Sequence, residues 1–315
     1  MTRYLSEALR NSKPKIVVVM PTLNEENGIG PVIDGVLKVM KPHDCSVLVV
    51  DGHSEDRTAQ IAKDLGASVV LQRQIGYGDA LKTGFECACK EMQADILVMM
   101  DADGTYDPQD VSRLLIPVFE NSADLVIGDR FRGMKPKSMT FINRIGNRIL
   151  SRVARWTLEV SVNDTQCGLR VLNSDLARHL TPTSNGMSFA TEMLAEARQA
   201  QARIIEMPVS YYPRIGKTKL SPIRDGLRIL GAILRLIRNY RPLLFFGVVG
   251  FSFMVLGAVL GVGVVFEWMA TGTIGHLASV ALSSLLILTG IFVSMIGLLA
   301  DMIKELRREL RTKLM

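Results

Sequence analysis

Ile96-Leu97-Val98-Met99-Met100-Asp101-Ala102-Asp103-Gly104-Thr105-Tyr106-Asp107-Pro108 is the stretch that decides how the chain folds. Five apolar residues in an unbroken run read as a strand buried on both faces, as inside a parallel sheet. Two carboxylates spaced i, i+2 end the run, followed by a glycine turn and a proline suited to open a helix. Ligands of open α/β sheets gather outside the carboxyl ends of the strands. Hard oxygen donors at that edge suit Mg²⁺ or Mn²⁺ bound together with substrate phosphates. The plainer reading of the same residues makes Asp103-Gly104 a turn and Asp101 a helix cap.

The pattern repeats outward from this strand. Residues 15–20 form a first buried strand ending in Pro21-Thr22-Leu23-Asn24-Glu25-Glu26, and a helix capped by Asn24 follows to about Met40. Residues 46–50 form a second strand ending in Asp51-Gly52-His53-Ser54, with Ser54 capping a helix to Leu65. A short third strand covers 68–71, and Gly76-Tyr77-Gly78 opens a helix through about Glu91. After Pro108 a helix runs to Phe119, and residues 124–128 form a fifth strand ending in Asp129-Arg130. Strands alternating with helices at this spacing predict an α/β fold with a doubly wound, mostly parallel sheet and right-handed crossovers. Glu25, Asp51, Asp101, Asp103 and Arg130 then line one sheet edge, the pattern of a nucleotide-and-metal site. Other phosphate loops do not fit. Gly76-x-Gly78 lacks the third glycine of a dinucleotide fingerprint, and Tyr211 stands where a Walker A loop ending at Gly216-Lys217-Thr218 needs glycine.

The chain of 315 residues has a mean hydropathy of +0.23, and the excess is concentrated near the C-terminus. Residues 243–266 and 277–300 carry no charged side chain, enough for two helices to cross about 30 Å of hydrocarbon. The connector 267–276 has no Lys or Arg, whereas Arg235, Arg238 and Arg241 precede the first span and Lys304, Arg307, Arg308, Arg311 and Lys313 follow the second. By the positive-inside rule both ends, and the long N-terminal region, lie in the cytosol of a two-span cell-membrane protein. No signal-peptide core precedes Lys15. Neither span holds an ionisable residue, which argues against a transporter or channel, and Gly257-x-x-x-Gly261 with Gly247 and Gly263 marks a helix-packing face. The net charge of +6 comes with no nucleic-acid-binding signature, so no nucleic-acid partner is expected. Cys45, Cys87, Cys89 and Cys167 lack zinc spacing and read as reduced packing residues.

The basic residues are patterned. Within about 140–158, Ile142, Ile145, Ile149, Val153 and Trp156 follow helical spacing beside Arg144, Arg148, Arg152 and Arg155. Residues 221–241 repeat the design, with Ile223, Leu227, Leu230, Leu234 and Ile237 beside Arg224, Arg228, Arg235 and Arg238. Basic amphipathic helices of this kind lie in a headgroup layer, with arginines snorkelling to phosphates. The alternative is a helix packed on the sheet with a solvated charged face.

Several motifs in order carry a resemblance over roughly residues 15–240: Pro21-Thr-Leu-Asn-Glu25, Val49-Val-Asp51-Gly-His-Ser54-x-Asp56-x-Thr58, Gly76-x-Gly78-x-Ala80, Asp101-x-Asp103, Gly128-Asp-Arg130-Phe, Asp164-Thr-Gln-Cys-Gly168-Leu-Arg170 and Arg214-x-Gly216-Lys-x-Lys219-Leu. The chain resembles glycosyltransferase family 2 with its GT-A fold, and within it the polyprenyl-phosphate glycosyltransferases such as dolichol-phosphate mannose and glucose synthases. With the hydropathy and charge pattern, the expected organisation is a GT-A domain over 1–220 that includes the helix at about 140–158, an amphipathic juxtamembrane helix over 221–241, transmembrane helices over 242–301 and a basic tail over 302–315. The resemblance implies that Pro21, Thr22, Glu25, Asp51, Gly78 and Asp101 hold the nucleotide, and that Asp103, with Asp101, binds Mg²⁺ or Mn²⁺ at the donor diphosphate. Arg130 and Arg144 are the first choices for gripping an acceptor phosphate, with Arg148 and Arg170 as alternates, although Arg170 has a structural reading as partner of Asp164. Arg214, Lys217 and Lys219 are expected to close over the diphosphate. Three departures count: Asp51-Gly-His-Ser54 lacks the second acid of many relatives, Thr105 stands where mannose synthases commonly carry Gln, and the Gln-x-x-Arg-Trp signature of processive synthases is absent. The expected reaction is inverting transfer of a hexose or N-acetylhexosamine from a UDP-sugar to a polyprenyl phosphate. GDP-mannose is the alternative donor, and a non-catalytic nucleotide-sugar binding protein or a nucleotidyltransferase are the rivals from other classes. The resemblance also implies a homo-oligomer, a tetramer being one form.

Overall fold

The computed structural model of the chain describes residues 13–216, 222–273 and 275–314, with backbone alone for 222–229 and 307–314. Its elements are, in order, β1 (Lys15–Thr22), α1 (Ile29–Met40), β2 (Asp44–Asp51), α2 (Thr58–Asp64), β3 (Ser68–Leu71), α3 (Tyr77–Lys90), β4 (Ile96–Met99), α4 (Pro108–Phe119), β5 (Leu125–Asp129), α5 (Arg130–Gly133), α6 (Phe141–Leu158), β6 (Arg170–Asn173), α7 (Ser174–His179), α8 (Phe189–Gln199), β7 (Ile204–Tyr211), α9 (Pro222–Tyr240), α10 (Pro242–Thr271) and α11 (Leu277–Leu314). The chain divides into two compact units between Ile229 and Leu230.

In the first unit the strands form one sheet in the order β3-β2-β1-β4-β6-β5-β7. β1, β2, β3 and β4 pair in parallel, as do β5 and β7, while β6 runs antiparallel between β4 and β5. The sheet is therefore mostly parallel, as expected, with one reversed strand. That reversal has a use: β6 brings its N-terminal end, Arg170 opposite Met99, to the edge where its neighbours bring their C-terminal ends. The loop before β6 and the segment after β7 thus join the β1, β2 and β4 loops at one edge.

The apolar runs are buried as their composition requires. Ile16 through Met20 and Ile96 through Met100 are essentially inaccessible, each large apolar side chain contributing about 1.5–3 kcal/mol of transfer free energy. α1 closes one face with Ile29, Val32, Ile33, Val36 and Met40, spaced by threes and fours. The cysteines Cys87, Cys89 and Cys167 are buried, and burial pushes the Cys167 thiol up to about 12, leaving it inert packing.

Two helix starts differ from expectation. α1 begins at Ile29 rather than beside Asn24, and α2 at Thr58 rather than after Ser54. The would-be caps instead brace the two loops against each other. Asn24 N–H donates to Ser54 Oγ (2.9 Å), Glu55 N–H to Asn24 Oδ1 (2.8 Å) and Glu25 N–H to Thr58 Oγ1 (2.8 Å).

In the second unit, α10 and α11 are long and apolar enough to cross a membrane. They pack closely through small residues. A Cβ on Gly250 would lie 2.5 Å from Gly290 O, and one on Gly257 2.8 Å from Ser283 O, while Ser283 Oγ donates to Gly257 O (2.7 Å). Gly257 and Gly261 are thus used within the hairpin, but Gly247 and Gly263, expected on the same face, meet open space.

Candidate active site

The expected edge assembles. Pro21 and Thr22 end β1 and are buried, and Thr22 O accepts the Gly52 N–H (2.8 Å), which locks the β1 and β2 loops side by side. Asp51, at the end of β2, is 3% exposed; its Oδ2 accepts from Ser54 N–H (3.1 Å), while Oδ1 is buried with no hydrogen-bond partner. A buried orphan acceptor at a strand's C-terminal end is a feature that a ligand N–H would satisfy.

Gly78, expected at the nucleotide, is committed elsewhere. Its N–H donates to Asn185 O (2.8 Å), and a Cβ there would lie 2.4 Å from Ser184 O, so glycine permits the 184–186 segment to close on the start of α3. The neighbouring Tyr77 reaches the site instead: its hydroxyl donates to Asp101 Oδ1 (3.0 Å). Asp103 Oδ1 accepts from both the N–H (3.1 Å) and the hydroxyl (2.6 Å) of Thr105. Thr105 therefore fixes the orientation of Asp103. Asp103 Oδ2 lies 3.8 Å from Arg214 Nε, and Arg214 is also hydrogen-bonded to Glu25 Oε1. Burial pushes Glu25 up to about 7, with Arg214 opposing and Asp103, Asp101 and Asp56 reinforcing the rise. Burial and then the adjacent Asp103 hold Asp101 above the usual carboxylate range.

Arg130 lies in the cluster but is already paired. Its Nε and Nη2 donate to Asp164 Oδ2 (2.6 Å) and Oδ1 (2.8 Å), and its guanidinium carbon sits 5.3 Å from the Tyr211 ring centre. Asp164 is itself anchored, its N–H donating to Glu206 Oε1 (2.8 Å). Arg170 is corrected as a phosphate ligand and as the partner of Asp164. It is fully buried and donates to the carbonyls of Cys167 (2.9 Å), Ala190 (2.8 Å) and Thr165 (2.8 Å), which makes it a brace of the loop before β6. That loop closes on Asp101 through Gly168, where a Cβ would come within 2.3 Å of Asp101 Oδ2, and Gly168 N–H donates to Tyr106 Oη (2.7 Å). Arg144 and Arg148 are exposed on α6, Arg148 lying 5.4 Å over the Phe131 ring. Lys217 and Lys219 lie outside the described residues.

Tyr77, Tyr106 and Glu206 stand at the site with no role expected from sequence, and Tyr211 is expected only as the break in a Walker A loop. Tyr77 sits inside a quoted glycine motif, whereas nothing in spacing marks Glu206, whose partners Asn163 and Asp164 are more than forty residues away. As a donor set, Asp101 and Asp103 offer hard oxygens suited to Mg²⁺ or Mn²⁺, with a guanidinium already beside them where positive charge is needed. Among the described residues no third His, Cys, Asp or Glu joins them, so water and phosphate oxygens would complete the shell.

Residues 17–166 match the family described as Glycosyl transferase family 2. The chain is 36% identical to the glycosyltransferase AglJ of Haloferax volcanii, over 93% of this chain and 95% of that protein. It is 32% identical to a dolichyl-phosphate hexose transferase of the same organism, over 72% of this chain and 95% of that one. Among solved structures, the glucosyl-3-phosphoglycerate synthase of Mycobacterium tuberculosis, determined with Mn²⁺, UDP and glucosyl-3-phosphoglycerate, is similar with a TM-score of 0.58 at 22% identity, covering 74% of this chain and 81% of that one.

Proposed function

Since the chain belongs to glycosyltransferase family 2 and has its GT-A fold, we propose that it transfers a sugar from a nucleoside diphosphate sugar to a polyprenyl phosphate at the cytosolic face of a membrane. The observation that carries the lipid acceptor is α6. Its inner side buries Gly146, Leu150, Ser151, Ala154 and Thr157, whereas Phe141, Ile142, Ile145, Ile149 and Trp156 are 42–76% exposed beside exposed Arg144, Arg148, Arg152 and Arg155. The periodic apolar stripe is therefore not a sheet-packing face. Such a face suits a headgroup layer, each arginine adding about 1 kcal/mol at an anionic leaflet. The likeness to a dolichyl-phosphate hexose transferase supports the same acceptor class. Replacing Ile145 and Ile149 by Ser is expected to leave the melting temperature within about 2 °C, because surface changes cost little. The same change should lower transfer to membrane-embedded polyprenyl phosphate about tenfold, measured in nanodiscs. Equal transfer by both proteins would exclude α6 as the contact with the lipid acceptor's membrane.

The donor reading is a UDP-sugar. Asp51 retains one buried acceptor atom, which matches the single imide N–H of uracil; guanine would present two donors to one free oxygen. GDP-mannose is the second reading.

The acceptor phosphate oxygen attacks the anomeric carbon, and the nucleoside diphosphate leaves from the opposite side with inversion. A phosphate with a second pKa near 6 is largely ionised at neutral pH, so the chain need supply no general base. Asp101 and Asp103 would hold Mg²⁺ or Mn²⁺, which when bound neutralises charge developing on the leaving diphosphate. Arg214 lies where its fork can reach diphosphate oxygens, and Arg130, held by Asp164, contributes fixed positive charge toward the acceptor. Ion binding requires ionised carboxylates. With Asp101 pushed up to about 6, Mn²⁺–UDP affinity is expected to fall about tenfold between roughly pH 7 and pH 5, read by calorimetry. A flat profile would contradict Asp101 and Asp103 as the ion's seat.

The test of the whole reading is incubation of the full-length protein with polyprenyl phosphate, Mg²⁺ or Mn²⁺, and UDP-Glc, UDP-GlcNAc, UDP-Gal or GDP-Man in separate reactions. Mass spectrometry of the lipid phase should find one lipid-phosphate sugar. Metal-dependent nucleotide binding without a lipid product from any donor would overturn the polyprenyl-phosphate acceptor.

A further inference from the structure

The segment after β7 folds back over the Asp103 turn. Tyr212 N–H donates to Thr105 O (2.8 Å), Ile215 N–H donates to Asp103 O (2.9 Å), and Tyr106 bridges to Tyr211 in antiparallel fashion. Ile215 packs onto Gly104, whose φ of +76° and missing Cβ allow it; a Cβ there would lie 2.5 Å from Ile215 Cδ1. This tied backbone carries Arg214 across the site to the loop that follows β1. There the guanidinium is bonded to Glu25 Oε1 while its Nε stands 3.8 Å from Asp103 Oδ2. One cation thus bridges the acid expected at the nucleoside and the acid expected at the ion. The two carboxylates are 11% and 16% exposed, but the Arg214 side chain is 39% exposed, so it can leave into water by rotating its own bonds while its backbone stays tied. Asp101, Asp103 and Asp56 crowd Glu25 with like charge, and Arg214 is the basic side chain that offsets them.

We propose that Arg214 is the resident counter-cation of this carboxylate cluster and is displaced when a divalent ion enters with the donor's diphosphate. The proposal rests on reading Asp101 and Asp103 as the ion's ligands. A guanidinium and a divalent ion at one carboxylate repel each other strongly in a half-buried site, so the ion alone must compete with Arg214. A nucleoside diphosphate removes the conflict. Its phosphate oxygens give the released guanidinium a new bidentate partner and the ion additional ligands. Arg214 therefore couples ion and nucleotide: each binds better in the other's presence, by the same factor.

The experiment is an electron paramagnetic resonance titration of the full-length protein with Mn²⁺, with and without UDP, and with GDP in parallel. It compares the unaltered chain with Arg214→Gln and Arg214→Lys. Arg214→Gln is expected to bind Mn²⁺ alone about tenfold more tightly, and to lose about tenfold of the enhancement that the nucleotide gives. Arg214→Lys keeps the charge and should stay within about threefold of the unaltered chain in Mn²⁺ affinity. Arg214→Gln affinity for Mn²⁺ alone that is unchanged or weaker overturns the counter-cation, while Mn²⁺ binding with nucleotide still upholds the ion site. Absence of Mn²⁺ binding in every form, with either nucleotide, overturns the ion site and the counter-cation together.

Discussion

Asp103→Asn is expected to lower sugar transfer by at least about a thousandfold while leaving the protein folded. Asn matches the shape of Asp, and its side-chain oxygen can still accept from the Thr105 N–H and hydroxyl that now hold Asp103 Oδ1. Only the charge and one anionic oxygen are lost. Asp103 is partly exposed and next to Asp101 and Glu25, both of which its charge pushes upward, so removing that charge relieves repulsion. The melting temperature should hold or rise slightly, whereas Mn²⁺ binding in the presence of UDP should vanish. Thr105→Val is the graded companion: it removes one hydrogen bond to Asp103 and should cost about tenfold in transfer. Asp103→Asn retaining a tenth of the activity would exclude a catalytic ion held at this turn.

β1, β2 and β4 are legible in the sequence because buried parallel strands are written as unbroken apolar runs, and the short, half-exposed β3 is legible from its β-branched pair Val69-Val70. β6 and β7 are not. Arg170-Val171-Leu172-Asn173 is only four residues long and begins on an arginine, and β7 mixes Glu206 and Pro208 into its apolar residues. The convergence of Glu25, Asp51, Asp101 and Asp103 follows from strand direction alone, so it was readable. Side-chain partners were not. Asp164 and Arg170 are close in sequence, yet the arginine that meets Asp164 is Arg130, thirty-four residues upstream and delivered by another strand. The glycine face of α10 follows from the helical period: at about 100° per residue, Gly250 falls within about 20° of Gly257, while Gly247 and Gly263 are turned well away. The outward stripe of α6 is legible as a period, but only burial decides which of its two sides packs inward, against α8 and the loop before β6.

Asp164→Ala should be the most destabilising substitution near the site. Asp164 is fully buried and the Arg130 side chain is 8% exposed, so the change strands a buried guanidinium and two backbone N–H groups, of residues 130 and 166. Breaking a buried pair from one side costs about 3–5 kcal/mol. For a unit of this size that corresponds to a fall of roughly 6–20 °C in Tm, measured by differential scanning fluorimetry of the detergent-solubilised chain. Inactivity of this variant would say nothing about chemistry, since the fold is damaged. The informative protein is the pair Arg130→Met with Asp164→Asn. It carries no charge at either position, and the Asn oxygen still accepts from one of the two backbone N–H groups, which Asp164 serves through different oxygens. Its stability should return to within about 1–2 kcal/mol of the original, as expected when both members of a buried pair are neutralised together. If Arg130 acts on the acceptor phosphate, transfer stays down by about a hundredfold or more in this restored background. If Arg130 and Asp164 serve only to join β5 to the loop before β6, transfer returns with stability. The same protein thus separates two roles that a single substitution at either position confounds, and recovery of activity would shift the search for the acceptor's grip to Arg144 and Arg148.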